Sequence, residues 1–218
     1  MKGNIQSHYF TEDALRDWEI IGSRHRIRDE RFLRTIEIYF CCGPILEIGA
    51  ATGHLSAILN QRGYDVTASD ISPIFVSAIM SRGVTAELID VTRDIRAQSS
   101  KTFANVLAQN VMPLILRDRE TLCTTLAMIH AALQPHGRLI CISADARRDC
   151  HPESYFRPRE QIEIARLSGL FRLIKAFPHQ VVPTSLYREW NARLLNFADF
   201  KLAKIASIRW VWVMEKLG

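Results

Sequence analysis

One stretch of the sequence, residues 45–55, joins a short apolar run to a turn of small residues and the start of a helical pattern. It reads ILEIGAATGHL, and its last leucine begins an apolar stripe that continues at Ile58 and Leu59. Glycines let a backbone approach a ligand closely, and the first N–H groups of a helix have no partners within the helix. The stretch therefore predicts a strand, a tight loop and a helix N-terminus.

Two glycine patterns compete for this loop. The dinucleotide fingerprint G-x-G-x-x-G, counted from Gly49, requires glycines where Ala51 and His54 stand, so its fit is poor. The pattern acid-x-Gly-x-Gly-x-Gly departs only at Ala51. With it, the loop resembles motif I of the class I S-adenosylmethionine-dependent methyltransferases. An ordinary glycine-containing turn between a strand and a helix is the alternative.

The resemblance implies specific contacts with the cofactor. In that family the acid orders the surroundings of the methionine amino group, and the glycines make room for the methionine and ribose parts. The loop residues to which these contacts are carried over are Glu47, Gly49, Ala50, Ala51 and Gly53.

Two further acids end the next two predicted strands, residues 65–70 and 86–91. Asp70 at the end of the second strand can accept both ribose hydroxyls, and Ile71 follows it as a candidate for the adenine pocket. The family resemblance implies that Asp90 and the backbone N–H of Val91 meet the adenine ring. A helix cap or a turn is the alternative for each acid, but three acids at successive strand ends favour a cofactor site.

The fourth predicted strand, residues 103–110, ends in Gln109 and Asn110. We expect these two side chains at the methionine end of the cofactor, or else in a polar loop. The exit lacks the Asp/Asn-Pro-Pro-Tyr/Phe signature of many enzymes that methylate exocyclic amines. It also lacks the aspartate with which catechol-type methyltransferases bind a metal, and no metal site is predicted.

The remaining patterns complete an α/β fold. Helical periodicity over residues 118–133 and from residue 158 alternates with strands near 139, at 171–177 and at 208–215. We predict a Rossmann-like, seven-stranded, mostly parallel sheet with an antiparallel last strand and helices on both faces.

The domain prediction is a single methyltransferase domain over residues 1–218. Within it, residues 1–40 form an N-terminal helical lid, residues 41–145 the cofactor-binding half, and residues 146–218 the acceptor-side half with a helical insertion at 183–205. Two apolar stripes, one beginning at Leu15 and one at Phe32, predict two helices in the lid.

Composition limits the compartment and the partners. No apolar run is long enough for a membrane span, and five cysteines without a C-x-x-C pair predict reduced thiols in the cytoplasm. The formal net charge is +5, and residues 144–218 carry the whole excess. That basic third suggests an acidic substrate, RNA or merely a solvated surface. A homodimer is a further possibility.

The sequence therefore predicts transfer of a methyl group from S-adenosylmethionine to a nitrogen or oxygen atom of a small-molecule acceptor. Weak candidates for a general base are Tyr9, His8 and His151, with His179 as a further histidine in a predicted loop. The alternatives are a methyltransferase acting on RNA or on a protein or peptide, and a catalytically silent S-adenosylmethionine-binding subunit. His54 argues against a nicotinamide oxidoreductase.

Overall fold

The computed structural model describes residues 11–144, 155–180 and 209–218. Its helices are α1 Glu12–Ile36, α2 His54–Gln61, α3 Pro73–Ser81, α4 Ile95–Gln98, α5 Met112–Ile115, α6 Arg119–Ala132 and α7 Pro158–Leu167. Its strands are β1 Ile45–Ile48, β2 Val66–Asp70, β3 Thr85–Leu88, β4 Phe103–Gln109, β5 Leu133–Ala144, β6 Phe171–Gln180 and β7 Arg209–Lys216.

The strands form one sheet in the order β3-β2-β1-β4-β5-β7-β6. Every described strand runs parallel to the others except β7, which lies antiparallel between β5 and β6. The predicted fold class is confirmed, including the antiparallel last strand. Because β1 stands between β2 and β4, the loop after β1 lies between the ends of two neighbouring strands.

Helices cover both faces of the sheet, as predicted. On one face α1 and α2 bury an apolar cluster that includes Phe32, Leu33 and Leu59. On the other face α6 and α7 pack against the sheet through residues such as Leu126 and Ile164. The first face is the one that brings α1 to the loop after β1.

The N-terminal segment differs from its prediction, because one helix stands where we expected two. Helix α1 runs unbroken over Glu12–Ile36 and is capped by Thr11, whose hydroxyl accepts from the Ala14 N–H at 3.2 Å. The arginine-rich stretch between the two apolar stripes contains no proline, and arginine is a good helix former. Two separate apolar stripes therefore do not require two separate helices.

Several predicted features fall outside the described residues. The helical insertion at 183–205 belongs to this group, as do residues 1–10 of the predicted lid. Among the helices that are described, none has the length and apolar character needed to cross a membrane.

Candidate cofactor site

The loop after β1 has an unusual backbone. Gly49, Ala51 and Gly53 have φ angles of +65°, +48° and +73°, all in the left-handed region. Ala51 pays a steric penalty there of about 1–2 kcal/mol, which the surrounding bonds must offset. The loop is held to β2 by the Ala50 N–H, which donates to the Ser69 carbonyl at 2.9 Å.

The two glycines of the loop are explained by packing as well as by backbone conformation. A Cβ atom on Gly49 would lie 3.1 Å from Val111 Cγ2, and one on Gly53 would lie 2.8 Å from Ile79 Cγ1. The space that each missing side chain leaves is therefore taken by the protein itself. The predicted role of these glycines, making room for the cofactor, stays a prediction.

Asp70 ends β2 with its carboxylate fixed against the loop. Oδ2 accepts from the Ala51 N–H at 2.9 Å, and Oδ1 accepts from the Ser72 N–H at 3.0 Å. The residue is 8% exposed, and burial raises the pKa of the carboxyl, which these backbone bonds oppose. The two oxygens of a carboxylate have about four lone-pair sites between them, so the carboxylate can still accept from a ligand diol.

Glu47 lies inside β1, 4% exposed, and accepts from the Ser56 hydroxyl of α2. The pKa of this carboxyl is raised to about 8: burial raises it most, the Ser56 hydroxyl lowers it, and the carboxylates of Asp29 and Asp70 contribute to the rise. The group is therefore mostly protonated at neutral pH. A cation brought near it would favour its charged form.

Asp90 is used by its own turn. Its Oδ1 accepts from the Thr92 N–H at 3.0 Å and from the Thr92 hydroxyl at 2.6 Å, and its Oδ2 lies 3.2 Å from Arg93 Nε. The Gln98 side chain bonds both the N–H and the carbonyl of Asp90, at 2.8 and 3.0 Å. These bonds replace strand pairing, which explains why β3 ends at Leu88 and not at the predicted residue 91. The adenine contacts predicted for Asp90 and Val91 stay predictions.

Gln109 and Asn110 lie where β4 ends, at the same edge of the sheet as the loop. Asn110 has a φ of +54°, and its N–H donates to the Ile142 carbonyl of β5 at 2.9 Å. This turn brings Val111 against Gly49. The structure thus places the end of β4 beside the loop, while the cofactor contacts of the two side chains stay predictions.

Of the candidates for a general base, only His179 lies within the described residues. Tyr9, His8 and His151 lie outside the described ranges. His179, which we predicted in a loop, lies instead in β6 and is 5% exposed, with its ring 5.5 Å from that of Phe32. Strand β6 is longer than predicted because pairing with β7 continues past Pro178 through a register shift.

Comparison with known proteins identifies the domain. Residues 46–141 match the family model described as a methyltransferase domain. The matched segment runs from β1 into β5 and holds every residue to which the sequence assigned a cofactor contact. Residues 46–141 of the chain therefore carry a methyltransferase domain. No curated protein matches the sequence.

Solved structures resemble this methyltransferase fold over most of the chain. One is the N-methyltransferase NodS from Bradyrhizobium japonicum WM9 with S-adenosyl-L-homocysteine, at 16% identity, a TM-score of 0.64, and 89% of this chain and 88% of that one covered. Another is a TehB-like SAM-dependent methyltransferase from Corynebacterium glutamicum, at 21% identity and a TM-score of 0.64, covering 97% and 100%. A third is the glycopeptide N-methyltransferase MtfA, at 14% identity and 0.62, covering 87% and 89%. At these identities the likeness concerns the fold.

The residues at this edge of the methyltransferase domain fit an adenosyl cofactor chemically. The fixed carboxylate of Asp70 suits a ribose diol, and beside it Ile71 and Leu88 are 49% and 52% exposed, which suits an apolar ring. The Ser72 hydroxyl is buried without a hydrogen-bond partner in the described part of the chain. Those same parts contain no group of three His, Cys, Asp or Glu side chains able to hold a metal ion.

Sequence reasoning missed Asp29, a buried acid of α1. It is 3% exposed, and its carboxylate acts on the pKa of both Glu47 and His54. A signal was present, since Asp29 precedes Phe32, Leu33 and Ile36 by three, four and seven residues and so shares their buried helix face. An acid within an apolar stripe should have been treated as a site candidate.

Proposed function

We propose that this protein binds S-adenosylmethionine at the carboxyl ends of β1, β2 and β4 and transfers its methyl group to a small molecule. One observation carries the proposal: the strained loop is bonded to the acid of the next strand, Ala51 N–H to Asp70 Oδ2 at 2.9 Å. That bond holds a buried carboxylate beside the loop and beside exposed Ile71. The methyltransferase-domain match over residues 46–141 supports it.

Different residues of the chain contact the ribose, adenine and methionine parts of the cofactor. Asp70 accepts from the ribose hydroxyls, while Ile71, Asp90 and Val91 border the adenine. The methionine part lies along the loop residues and the end of β4, with Glu47 nearest its ammonium group. The residues that we assign to the methionine part are Glu47, Gly49, Ala50, Ala51, Gly53, Gln109 and Asn110.

The cofactor supplies a methyl carbon on a sulfonium: the acceptor's lone pair bonds to that carbon, the carbon–sulfur bond breaks, and S-adenosylhomocysteine leaves. The acceptor's proton passes to solvent or to a nearby base. The protein has to align the acceptor with the methyl group and exclude water. For this we assign residues 1–40 as a lid and residues 146–218, with the insertion at 183–205, as the acceptor side of a single domain.

A nitrogen acceptor is favoured over an oxygen acceptor. Two of the similar structures are described as N-methyltransferases, NodS and MtfA. An amine needs only to lose its proton before it attacks, so it depends less on a positioned base than a hydroxyl does. The glycopeptide enzyme also supports a peptide as the second candidate acceptor. Cytoplasmic location and a homodimer stay predictions from the sequence.

The first experiment measures binding of S-adenosylmethionine and S-adenosylhomocysteine by calorimetry, followed by a product screen. The protein is incubated with S-adenosylmethionine and pooled metabolites, and mass spectrometry follows the gain of one CH2 unit. Binding together with a methylated amine is the expected result. Absence of binding by the folded protein contradicts the proposal. Binding without turnover of any small molecule or peptide favours the silent subunit.

A further inference from the structure

Arg82 connects three separate elements at the edge where the glycine-containing loop lies. It is the residue that follows α3, and its Nε donates to the Thr52 carbonyl of the loop at 2.8 Å. Its Nη2 donates to Glu19 Oε2 of α1 at 2.5 Å and lies 3.4 Å from His54 Nε2 at the start of α2. One guanidinium thus touches the loop, the N-terminal helix and the helix after the loop.

The Thr52 carbonyl is a sensitive point of the loop. Thr52 is 2% exposed and stands between Ala51 and Gly53, both in the left-handed region. The direction of its carbonyl also sets that of the Gly53 N–H, which donates to the Ala50 carbonyl at 2.8 Å. A strained conformation persists only where its surroundings hold it in place.

Two side chains hold this strained loop, one by accepting from a backbone N–H and the other by donating to a backbone carbonyl. Asp70 accepts from the Ala51 N–H, and Arg82 donates to the Thr52 carbonyl. Asp70 belongs to the site already described. Arg82 lies behind the loop, where its neighbour Ile79 fills the space beside Gly53.

We propose that Arg82 is a positioning residue of the cofactor site, which fixes the loop in its binding shape and ties that shape to the docking of α1. The identity of the ligand rests on the proposed function. The positioning role itself rests on the contacts that Arg82 makes. The tie is the ion pair with Glu19, whose side chains are 29% and 39% exposed. Movement of α1 away from the loop breaks this pair, and the Arg82 guanidinium that bonds the Thr52 carbonyl is then no longer fixed by Glu19.

His54 completes the cluster from α2. Its Nε2 lies 3.5 Å from Glu19 Oε2, and its pKa is lowered by burial and by the Arg82 charge, which outweigh Glu19 and Asp29. When the imidazole is neutral, the Glu19 carboxylate forms its ion pair with Arg82 alone. Protonated His54 would compete with Arg82 for the same carboxylate.

A matched pair elsewhere in the molecule provides the control. Arg62 follows α2 as Arg82 follows α3, and it pairs with Glu37 of the 3-10 turn Glu37–Tyr39 that follows α1. The two side chains are 28% and 25% exposed. This pair also joins the N-terminal segment to the end of a helix. None of the hydrogen bonds found among the described residues joins Arg62 or Glu37 to residues 49–53.

The test compares Arg82→Gln and Arg82→Lys with Arg62→Gln. For S-adenosylhomocysteine binding by calorimetry, Arg82→Gln should weaken affinity about tenfold, the size of one lost charge-assisted hydrogen bond. Arg62→Gln should leave affinity within about twofold, even where both variants lose similar thermal stability. Arg82→Lys should recover stability but not affinity, because a lysine cannot serve Glu19 and the Thr52 carbonyl with the planar fork of arginine.

A second readout requires no ligand and separates this inference from the proposed function. Amide hydrogen exchange of Ala50, Ala51 and Gly53 should accelerate in Arg82→Gln and remain unchanged in Arg62→Gln. Unchanged exchange in Arg82→Gln, or full recovery of affinity by Arg82→Lys, overturns the positioning role. If the wild-type protein binds no S-adenosylhomocysteine while exchange behaves as expected, the proposed function fails and the role of Arg82 in shaping the loop stands.

Discussion

The two edges of the sheet treat buried polar groups in opposite ways. At the amino edge Asn105 is fully buried, its Oδ1 accepts from the Cys41 N–H at 2.9 Å, and its Nδ2 donates to the Cys41 carbonyl at 2.8 Å. Both halves of a neutral amide are thus used by the chain itself. At the carboxyl edge Glu47 and Asp70 are buried as acids, and burial raises the pKa of each.

This difference separates a structural site from a functional one. A neutral side chain that pairs with the backbone stabilises the chain before β1 and has no use for a ligand. A buried acid with a raised pKa costs stability when it is charged, and such costs persist mainly at sites that bind or react. The chemistry of the carboxyl edge therefore calls for a cationic partner, and that of the amino edge does not.

The largest effect should come from Glu47→Gln, measured as free energy of unfolding against pH. The pKa of Glu47 is raised from 4.5 to about 8, so the folded protein keeps a proton that the unfolded chain releases. Wild-type stability should fall as pH rises from about 4.5 to about 8, by several kcal/mol at about 1.4 kcal/mol per pKa unit. The glutamine variant, which keeps a neutral acceptor for Ser56, should lack this loss.

A control for this measurement is Glu37→Gln, at the ion pair with Arg62. It reports what the same chemical change does at a solvent-facing site. If wild type and Glu47→Gln keep the same stability difference from acid to neutral pH, the buried acid does not carry the cost assigned to it, and the contrast between the two edges disappears.

The second-largest effect should come from Asp70→Ala, measured as affinity for S-adenosylmethionine. Loss of the acceptor for two ribose hydroxyls is expected to weaken S-adenosylmethionine by about 1.5–3 kcal/mol, roughly 10- to 100-fold. Asp65→Ala is the matched control, because Asp65 is an exposed acid just before the amino end of the same strand. Equal affinity in the two variants, measured by calorimetry, would remove Asp70 from the site.

Asn105→Ala tests the other edge with the opposite expectation. The substitution leaves the N–H and carbonyl of Cys41 without their side-chain partners, which should cost about 2 kcal/mol of unfolding free energy. Affinity of the folded variant for S-adenosylmethionine should equal that of wild type, because Asn105 lies at the far end of β4 from Gln109. Chemical denaturation and calorimetry on one preparation measure both, and a weakened affinity would contradict the separation of the edges.

Much of the fold and part of the site could be predicted from the sequence, for a physical reason. The acid, the loop and the helix start at residues 45–55 are local features, and the parallel β1, β2 and β4 bring their ends together by topology alone. Contacts between distant segments have no such local signal. Nothing in the sequence around Arg82 indicates that it would reach both Thr52 and Glu19.

Local patterns also do not reveal the contacts that residues make within the protein. The Asp90 carboxylate suited a ligand by its position at a strand end, yet its own turn and Arg93 engage both of its oxygens. The missing side chains of Gly49 and Gly53 suited a ligand too, yet Val111 and Ile79 take up the space. In each case the sequence located the element correctly, and the partner came from packing that the pattern does not encode.

The smallest expected effect concerns His54, which begins α2 beside Arg82 and Glu19. Its pKa is lowered from 6.5 by burial and by Arg82, so on acidification the unfolded chain binds its proton before the folded chain does. The folded protein should therefore lose stability as pH falls below about 6.5, and His54→Gln should remove that loss, worth about 0.5 kcal/mol for one partly exposed side chain. Denaturation of both proteins between about pH 5 and about pH 7.5 measures the difference, which should grow when Glu19→Gln is added, since Glu19 is one of the groups that raise the pKa of His54. Parallel pH profiles for wild type and His54→Gln would mean that neither burial nor Arg82 lowers the pKa of His54, and α1 would then be tied to the loop by Glu19 and Arg82 without a role for His54.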